Sequence, residues 1–309
     1  MDITRKNFLR FIPAVILGSA FILSNQAFAE PNGGYNSGYA GGQNGWSFKV
    51  GLPYQKFSNN GTEYASSYDR EYNIDTDYHL GYNLGIGYYL ASKGSTINLD
   101  YTRLHATDSD SVYLDDLTIF QNPVTNATGK IKYSYDSVDL TAGHSVSISP
   151  TFDLYYYGGL NYTHLAKDMI ISGNDVDDFY TRKSGTDFKG IGPEFGVDGT
   201  CRPIPSTPGF GVVGGLKTVF PYGNMSGYLR DYENDDVFNE HIPDTKIVAP
   251  GIGAKLALQY DFPTAGMNWS TQLGYQSTTY FGVTKDSSYS GTVINTNFQG
   301  LYFNLAGKF

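Results

Sequence analysis

Behind residue 30 this chain has no apolar run of eighteen residues, yet it places greasy side chains at every second position again and again. A membrane-spanning helix is therefore excluded. Period-two alternation describes instead a strand with one apolar face and one mixed face, because successive side chains in a strand point to opposite sides. The clearest row is Tyr78, Leu80, Tyr82, Leu84, Ile86, Tyr88 and Leu90; another runs Val248, Pro250, Ile252, Ala254, Leu256, Leu258, Tyr260 and Phe262. The chain ends the same way on "GLYFNLAGKF", with Leu301, Phe303, Leu305 and Phe309 on one side and Tyr302, Asn304, Ala306 and Lys308 on the other. An exposed terminal strand is usually blunted with charge or proline, which this one is not.

Ten such rows are expected between Trp46 and Phe309. The remaining ones start near Trp46, Ile97, Ile131, Phe152, Ile191, Phe210 and Met267. The fourth is irregular. Ile131, Tyr133 and Tyr135 occupy odd positions and Val138, Leu140 and Ala142 even ones, which predicts a bulge or a register error near Asp136. The connections alternate strictly. Residues 91–95, 147–150, 200–208 and 263–266 are short and built from Gly and Pro turn chemistry, whereas 58–75, 107–129, 167–187, 222–246 and 282–295 are long, polar and mostly acidic.

Short turns at one end, long connections at the other and an even number of antiparallel strands define a bacterial outer-membrane barrel. Each row is about the 9 to 11 residues a tilted strand needs to cross the hydrocarbon. A closed barrel is the only sheet that can face lipid without unpaired backbone groups, so the terminal decapeptide is expected to pair with the first strand. The fold class is thus all-β, an antiparallel transmembrane β-barrel of ten strands. Eight or twelve are the alternatives, since 107–129 and 222–246 could hide further pairing. Trp46, Tyr78, Tyr88 and Trp269 are placed to form interfacial girdles. A soluble exported sandwich shares the strand signals.

The front of the chain agrees with export. Arg5, Lys6 and Arg10 precede an apolar run from Phe11 to Leu23, and Ala27-Phe28-Ala29 supplies a cleavage site before Glu30. The expected organisation is a signal peptide (1–29), a flexible Gly/Asn-rich periplasmic leader (30–45) and an outer-membrane barrel (46–309) with five long extracellular loops. With Cys201 as its one cysteine, the chain can form no internal disulfide. Its net charge of -9 speaks against nucleic acid as a partner.

If the apolar rows face lipid, the opposite rows face the lumen. They carry Lys49, Asp100, Asp139, Asp153, Glu194, Asp198, Lys217, Lys255, Asp261 and Lys308. Charged residues at membrane depth should point inward, where they pair or line water. Four lysines against six acids suit either a salt-bridged plug or a small polar pore. Gly190, Gly192, Gly196, Gly251 and Gly253 remove bulk from the interior and favour an opening.

Two stretches carry a narrower resemblance. "FKGIGPEFGVDGT" (188–200) and the C-terminal "QGLYFNLAGKF" resemble the major outer membrane protein family of Legionella-type bacteria, over residues 45 to 309. That resemblance implies a surface-exposed, porin-like barrel with roles in host or complement contact. With only Cys201, this chain departs from the family's cysteine-crosslinked members. The terminal residues Leu301, Phe303, Leu305 and Phe309 also resemble the signal that outer-membrane assembly machinery reads.

The leading functional expectation is passive diffusion of small hydrophilic solutes or ions, with mild cation preference from an acidic mouth. The rival is an adhesin or structural surface protein that binds host or complement molecules through its loops. Partners under both readings are outer-membrane lipid, lipopolysaccharide and the assembly machinery. Asp75, Asp77 and His79 resemble half of the paired-Asp and Asp-His constellation of an outer-membrane protease family, but no Asp-x-His follows on a later strand. No enzyme activity is expected. The acidic groups Asp108, Asp110, Asp115, Asp116; Asp175, Asp177, Asp178; and Asp231, Glu233, Asp235, Asp236 could attract divalent ions, yet none matches a twelve-residue calcium loop. Neither a metal nor a cofactor is expected.

Overall fold

A computed structural model describes residues 44–175, 178–204, 206–234, 236–264, 267–285 and 293–309. The expected signal peptide and nearly all of the leader lie outside the described residues. Fifteen strands follow in chain order: β1 Gly45–Ser58, β2 Glu63–Ser67, β3 Arg70–Asn73, β4 His79–Leu80, β5 Tyr82–Leu90, β6 Ser95–Ile119, β7 Asn122–Ser149, β8 Phe152–Asn174, β9 Phe179–Cys201, β10 Phe210–Val219, β11 Tyr222–Glu233, β12 Asp236–Val248, β13 Gly251–Thr264, β14 Met267–Lys285 and β15 Val293–Lys308.

Ten of them close a ring in the order β1, β5, β6, β7, β8, β9, β10, β13, β14, β15 and back to β1, every neighbouring pair antiparallel. β15 closes it on β1 from Ser47↔Lys308 to Ser58↔Asn297. Trp46 and Phe309 complete the seam with reciprocal backbone hydrogen bonds of 2.9 and 3.0 Å. The terminal decapeptide is therefore the closing strand. Pairing at both edges removes the liability of an apolar terminal strand.

β11 and β12 are the outer continuations of β10 and β13. They are separated from them at Pro221 and Pro250, which lack the N–H a ladder needs. The backbone bridges both breaks, with Phe220 N–H donating to Pro193 O, Ala249 N–H to Pro221 O and Phe281 N–H to Pro250 O.

The expected bulge at Asp136 is absent. Register between β6 and β7 and between β7 and β8 runs unbroken through Arg103↔Asp136↔His164. What changes there is the surroundings of each face. Below Asp136 the outward side chains Val138, Leu140 and Ala142 are the apolar ones, and Asp139 and Thr141 point inward; above it the inward Ile131, Tyr133 and Tyr135 are apolar and buried. The parity of the apolar residues switches because the strand leaves lipid and begins to enclose a core.

Four of the five long connections likewise hold strand, and residues 286–292 of the fifth lie outside the described residues. Residues 107–129 form the tops of β6 and β7 around a turn at Phe120 and Gln121, both at positive φ; 167–187 and 222–246 are mostly strand, and 58–75 holds the β2–β3 hairpin. The barrel thus has two storeys. Its lower storey has lipid-facing Leu84, Ile86, Leu99, Leu140, Leu160, Ile252, Leu256 and Leu301, all exposed. Its upper storey is filled by an apolar cluster drawn from around the ring, including Phe57, Leu104, Ile131, Tyr133, Leu165, Phe188, Tyr280 and Phe298. Tyr64 and Ile74, flanking and within the β2–β3 region, belong to that cluster. Gly129 admits them, because a Cβ there would lie 2.6 Å from Tyr64 Cβ and 2.9 Å from Ile74 Cδ1.

Candidate functional site in the barrel interior

Each interior charge comes from the row opposite a lipid-facing row, so strand pleating alone delivers it inward. Lys49, Asp100, Asp139, Asp153, Glu194, Asp198, Lys217, Lys255, Asp261 and Lys308 all lie on these inward rows. The barrel brings nine of them together in ion pairs. Lys217 on β10 lies 2.8 Å from Asp139 on β7 and 3.0 Å from Glu194 on β9. Lys255 on β13 lies 2.8 Å from Asp198 on β9, and Lys49 on β1 contacts Asp100 on β6. Glycines make these crossings fit: a Cβ at Gly85 or Gly215 would collide with the carboxylate of Asp100 or Asp198, respectively.

The lowest pair uses a residue that sequence reasoning missed. Arg202 follows β9 in a proline-rich turn, where no alternation marks it, and its guanidinium reaches Asp153 at 2.7 Å and Asp261 at 3.0 Å. It thereby links β8 to β13 across the short-turn end. Lys308 lies 4.1 Å from the centre of the Tyr89 ring. Asp139 is held further by Asn161 and Ser137, at 2.5 and 3.0 Å.

Between these layers lies a chamber of about 160 Å³, lined by Gln55, Asn83, Asn98, Thr141, Asn304 and the charged residues of the three upper ion pairs. Glu194 Oε2 and Asp198 Oδ1 make no hydrogen bond to protein atoms, although both residues are nearly fully buried. Above it, aromatic rings close the section. Phe57 stacks on Tyr133 with centroids 4.7 Å apart and planes at 6°, Phe298 packs 4.4 Å from Tyr135, and the hydroxyls of Tyr135 and Tyr280 lie 3.3 Å apart. Burial pushes the Tyr133 hydroxyl far above the ordinary phenol range.

At the outer mouth, His79 and Asp108 form an imidazole–carboxylate couple at 2.8 Å. Asp108 on β6 also receives the Asp77 N–H, and Asp110 receives the Asp75 N–H at 2.7 Å. These carboxylates hold the segment before β4 against one wall. Asp231 is committed to Arg182 through two hydrogen bonds of 2.6 Å, and Asp178 accepts from Asn234. Asp177 and Asp235 lie outside the described residues. On the outer face Leu301 and Phe309 are half exposed in the lipid-facing row, with Phe48 packed against Phe309 and Trp269 at 6.3 and 5.4 Å.

The fold resembles the outer membrane protease OmpT from Escherichia coli, at 14% identity and a TM-score of 0.50 over 86% of this chain and 97% of that one. Weaker likenesses reach the Pseudomonas putida toluene transporter TodX (7% identity, TM-score 0.32, 85% and 89% covered) and a Pseudomonas aeruginosa FadL homologue (7%, 0.27, 86% and 90%). At such identities the likeness to OmpT is one of fold. No curated protein sequence matches this chain. The family model described as the Legionella pneumophila major outer membrane protein precursor matches residues 42–309. The chain therefore belongs to the Legionella major outer membrane protein family and resides in the bacterial outer membrane.

Proposed function

We propose that this protein is a closed, non-enzymatic barrel that works by what its outer storey presents to the surroundings, as a surface-binding or structural protein of the outer membrane. The observation that carries this reading is the apolar cluster across the upper storey, in which Phe57, Tyr133, Tyr280 and Phe298 are between 0% and 4% exposed. Passive diffusion needs a continuous wet path, and a filled, aromatic section interrupts it. The outward β-structure of β6 to β9 and β11–β12 is ordered by long ladders, which suits a surface that binds rather than one that merely shields a pore.

A porin-like pathway is the second reading. The polar chamber favours it: its ion pairs cross-brace the wall while leaving room for water, and the carboxylate excess would give mild cation preference. Solute passage would then require the Phe57–Tyr133–Phe298 section to move aside. Reconstitution of residues 30–309 in planar bilayers separates the two. Surface binding predicts no discrete conductance steps, together with loss of host-cell or complement binding when the β2–β3 hairpin or the β11–β12 tip is replaced by a short turn. Regular conductance steps from the intact protein, with binding unchanged by those replacements, would overturn it.

A further inference from the structure

The outer wall of β6–β9 changes character just above the lipid-facing band. The row Tyr101–Val138–Tyr162–Ile191 is the last apolar one. One pleat higher, the register aligns Arg103, Asp136, His164 and Lys189 side by side on four strands. The next outward rows are His105–Ser134–Ala166–Asp187, Thr107–Lys132–Asp168–Gly185 and Ser109–Lys130–Ile170–Lys183. Five permanent cations therefore face three carboxylates on these four strands, in a protein whose net charge is -9. On β14 and β15 the two rows Ser277–Gln299 and Thr279–Asn297 carry no charge.

We infer that this strip is a docking surface for the phosphorylated glycolipid of the outer leaflet. Rows two residues apart are separated by about 6–7 Å along a strand, so four rows cover roughly 20 Å of strand above the hydrocarbon edge. That is the zone where phosphates on a glycolipid's sugar headgroup, and on sugars above it, meet a barrel wall. The acids hold the cations in place without cancelling them. Asp136 receives the Tyr101 hydroxyl at 2.7 Å and lies 3.8 Å from Arg103 Nε, while Asp187 lies 3.0 Å from Lys189 Nζ. Arg103, Lys130, Lys132 and Lys189 remain exposed. A guanidinium matches phosphate bidentately, and lysines add point charges that attract anionic headgroups at the membrane surface. Directly beneath, Tyr82 and Tyr101 pack edge to face at 5.9 Å, giving the headgroup's lower edge an aromatic seat. This assignment rests only on residence in the outer membrane, and is independent of whether the lumen conducts.

The test uses the full mature chain, extracted from outer membranes in mild detergent, with phosphorylated glycolipid quantified per protein and then added back as micelles. For the triple variant Arg103→Gln, Lys132→Gln, Lys189→Gln, retained glycolipid should fall at least tenfold, and the salt sensitivity of add-back should largely vanish. Lys56→Gln, a cation on β1, should change retention less than twofold. Enzymatically dephosphorylated glycolipid should bind the native protein at least fivefold more weakly. Retention by the triple variant equal to the native level, or equal binding of the dephosphorylated form, would overturn the inference. Should the triple variant fail to fold, Arg103→Gln alone is read in the same assay, with a threefold loss expected and no loss refuting.

Discussion

Replacing Lys217 by methionine tests whether the interior ion pairs support the barrel or merely decorate it. The ammonium sits 2.8 Å from Asp139 and 3.0 Å from Glu194, and those side chains are 14% and 2% exposed. Methionine keeps most of the volume and removes the cation that touches both acids in this cluster. Two carboxylates are then left together at membrane depth. Breaking a buried pair by removing one partner costs about 3–5 kcal/mol, chiefly because the remaining charge stays desolvated. Lys217 is 28% exposed and borders the polar chamber, so the lower end, about 3 kcal/mol, is the expected loss. With a urea dependence of about 3 kcal/mol per molar, the unfolding midpoint in lipid vesicles should fall by about 1 M. The assay is reversible urea unfolding followed by tyrosine and tryptophan fluorescence, with heat-modifiable gel mobility as a second readout. Lys217→Met combined with Asp139→Asn and Glu194→Gln removes all three charges at similar volume and should recover most of the loss, since neutral isosteres of buried pairs are often equally stable. A midpoint shift below about 0.3 M for Lys217→Met alone, or no recovery in the triple variant, would refute the view that this cluster is dry enough to matter.

Three further outcomes follow from other parts of the molecule. Tyr133→Ala, which removes a fully buried ring stacked on Phe57, should cost about 3–5 kcal/mol in the same unfolding assay and, on the closed-barrel proposal, introduce conductance absent from the native protein; a silent, equally stable variant would count against the aromatic section as the seal. Gly192→Ala would set a Cβ 1.9 Å from the Phe220 carbonyl oxygen, and the backbone shift needed should cost about 1–3 kcal/mol, measured as a lowered urea midpoint at unchanged secondary structure by circular dichroism. Deleting Phe309 removes both of its backbone bonds to Trp46 and its contact with Phe48, so folding into vesicles should slow severalfold while the sheet content of the folded product stays the same; unchanged folding kinetics would argue that the terminal residue has no part in closure.

The lower storey was legible in the sequence because lipid and water impose opposite demands on the two faces of one strand. Alternation at Leu84–Ile86–Tyr88 or Leu301–Phe303–Leu305 therefore reads directly as an outward row, and the lysines and acids between them as inward. The upper storey was not legible, for a reason that lies in the same physics. Above Asp136 the strands face water outside and enclose core inside, so the apolar residues change parity while the register does not. Read with a fixed assignment of faces, Ile131–Tyr133–Tyr135 looks like a bulge and the acidic segments look like loops. Their outward acids and lysines dominate the composition, while inward residues as sparse as Leu117, Ile119, Val124 and Ala127 suffice to fill the interior. Arg202 escaped for a different cause. A turn residue has no alternation to place it, and only closure of the ring shows that a side chain between β9 and β10 can reach Asp153 and Asp261 together. In a two-storey barrel, a switch in the parity of the apolar residues without a break in pairing marks the height at which membrane gives way to core. On β7 that height falls between Tyr135 and Val138, the same level at which the outer wall turns from Tyr101 and Tyr162 to Arg103 and Lys189. Interior plug and exterior charge thus begin together, because both answer to the same boundary.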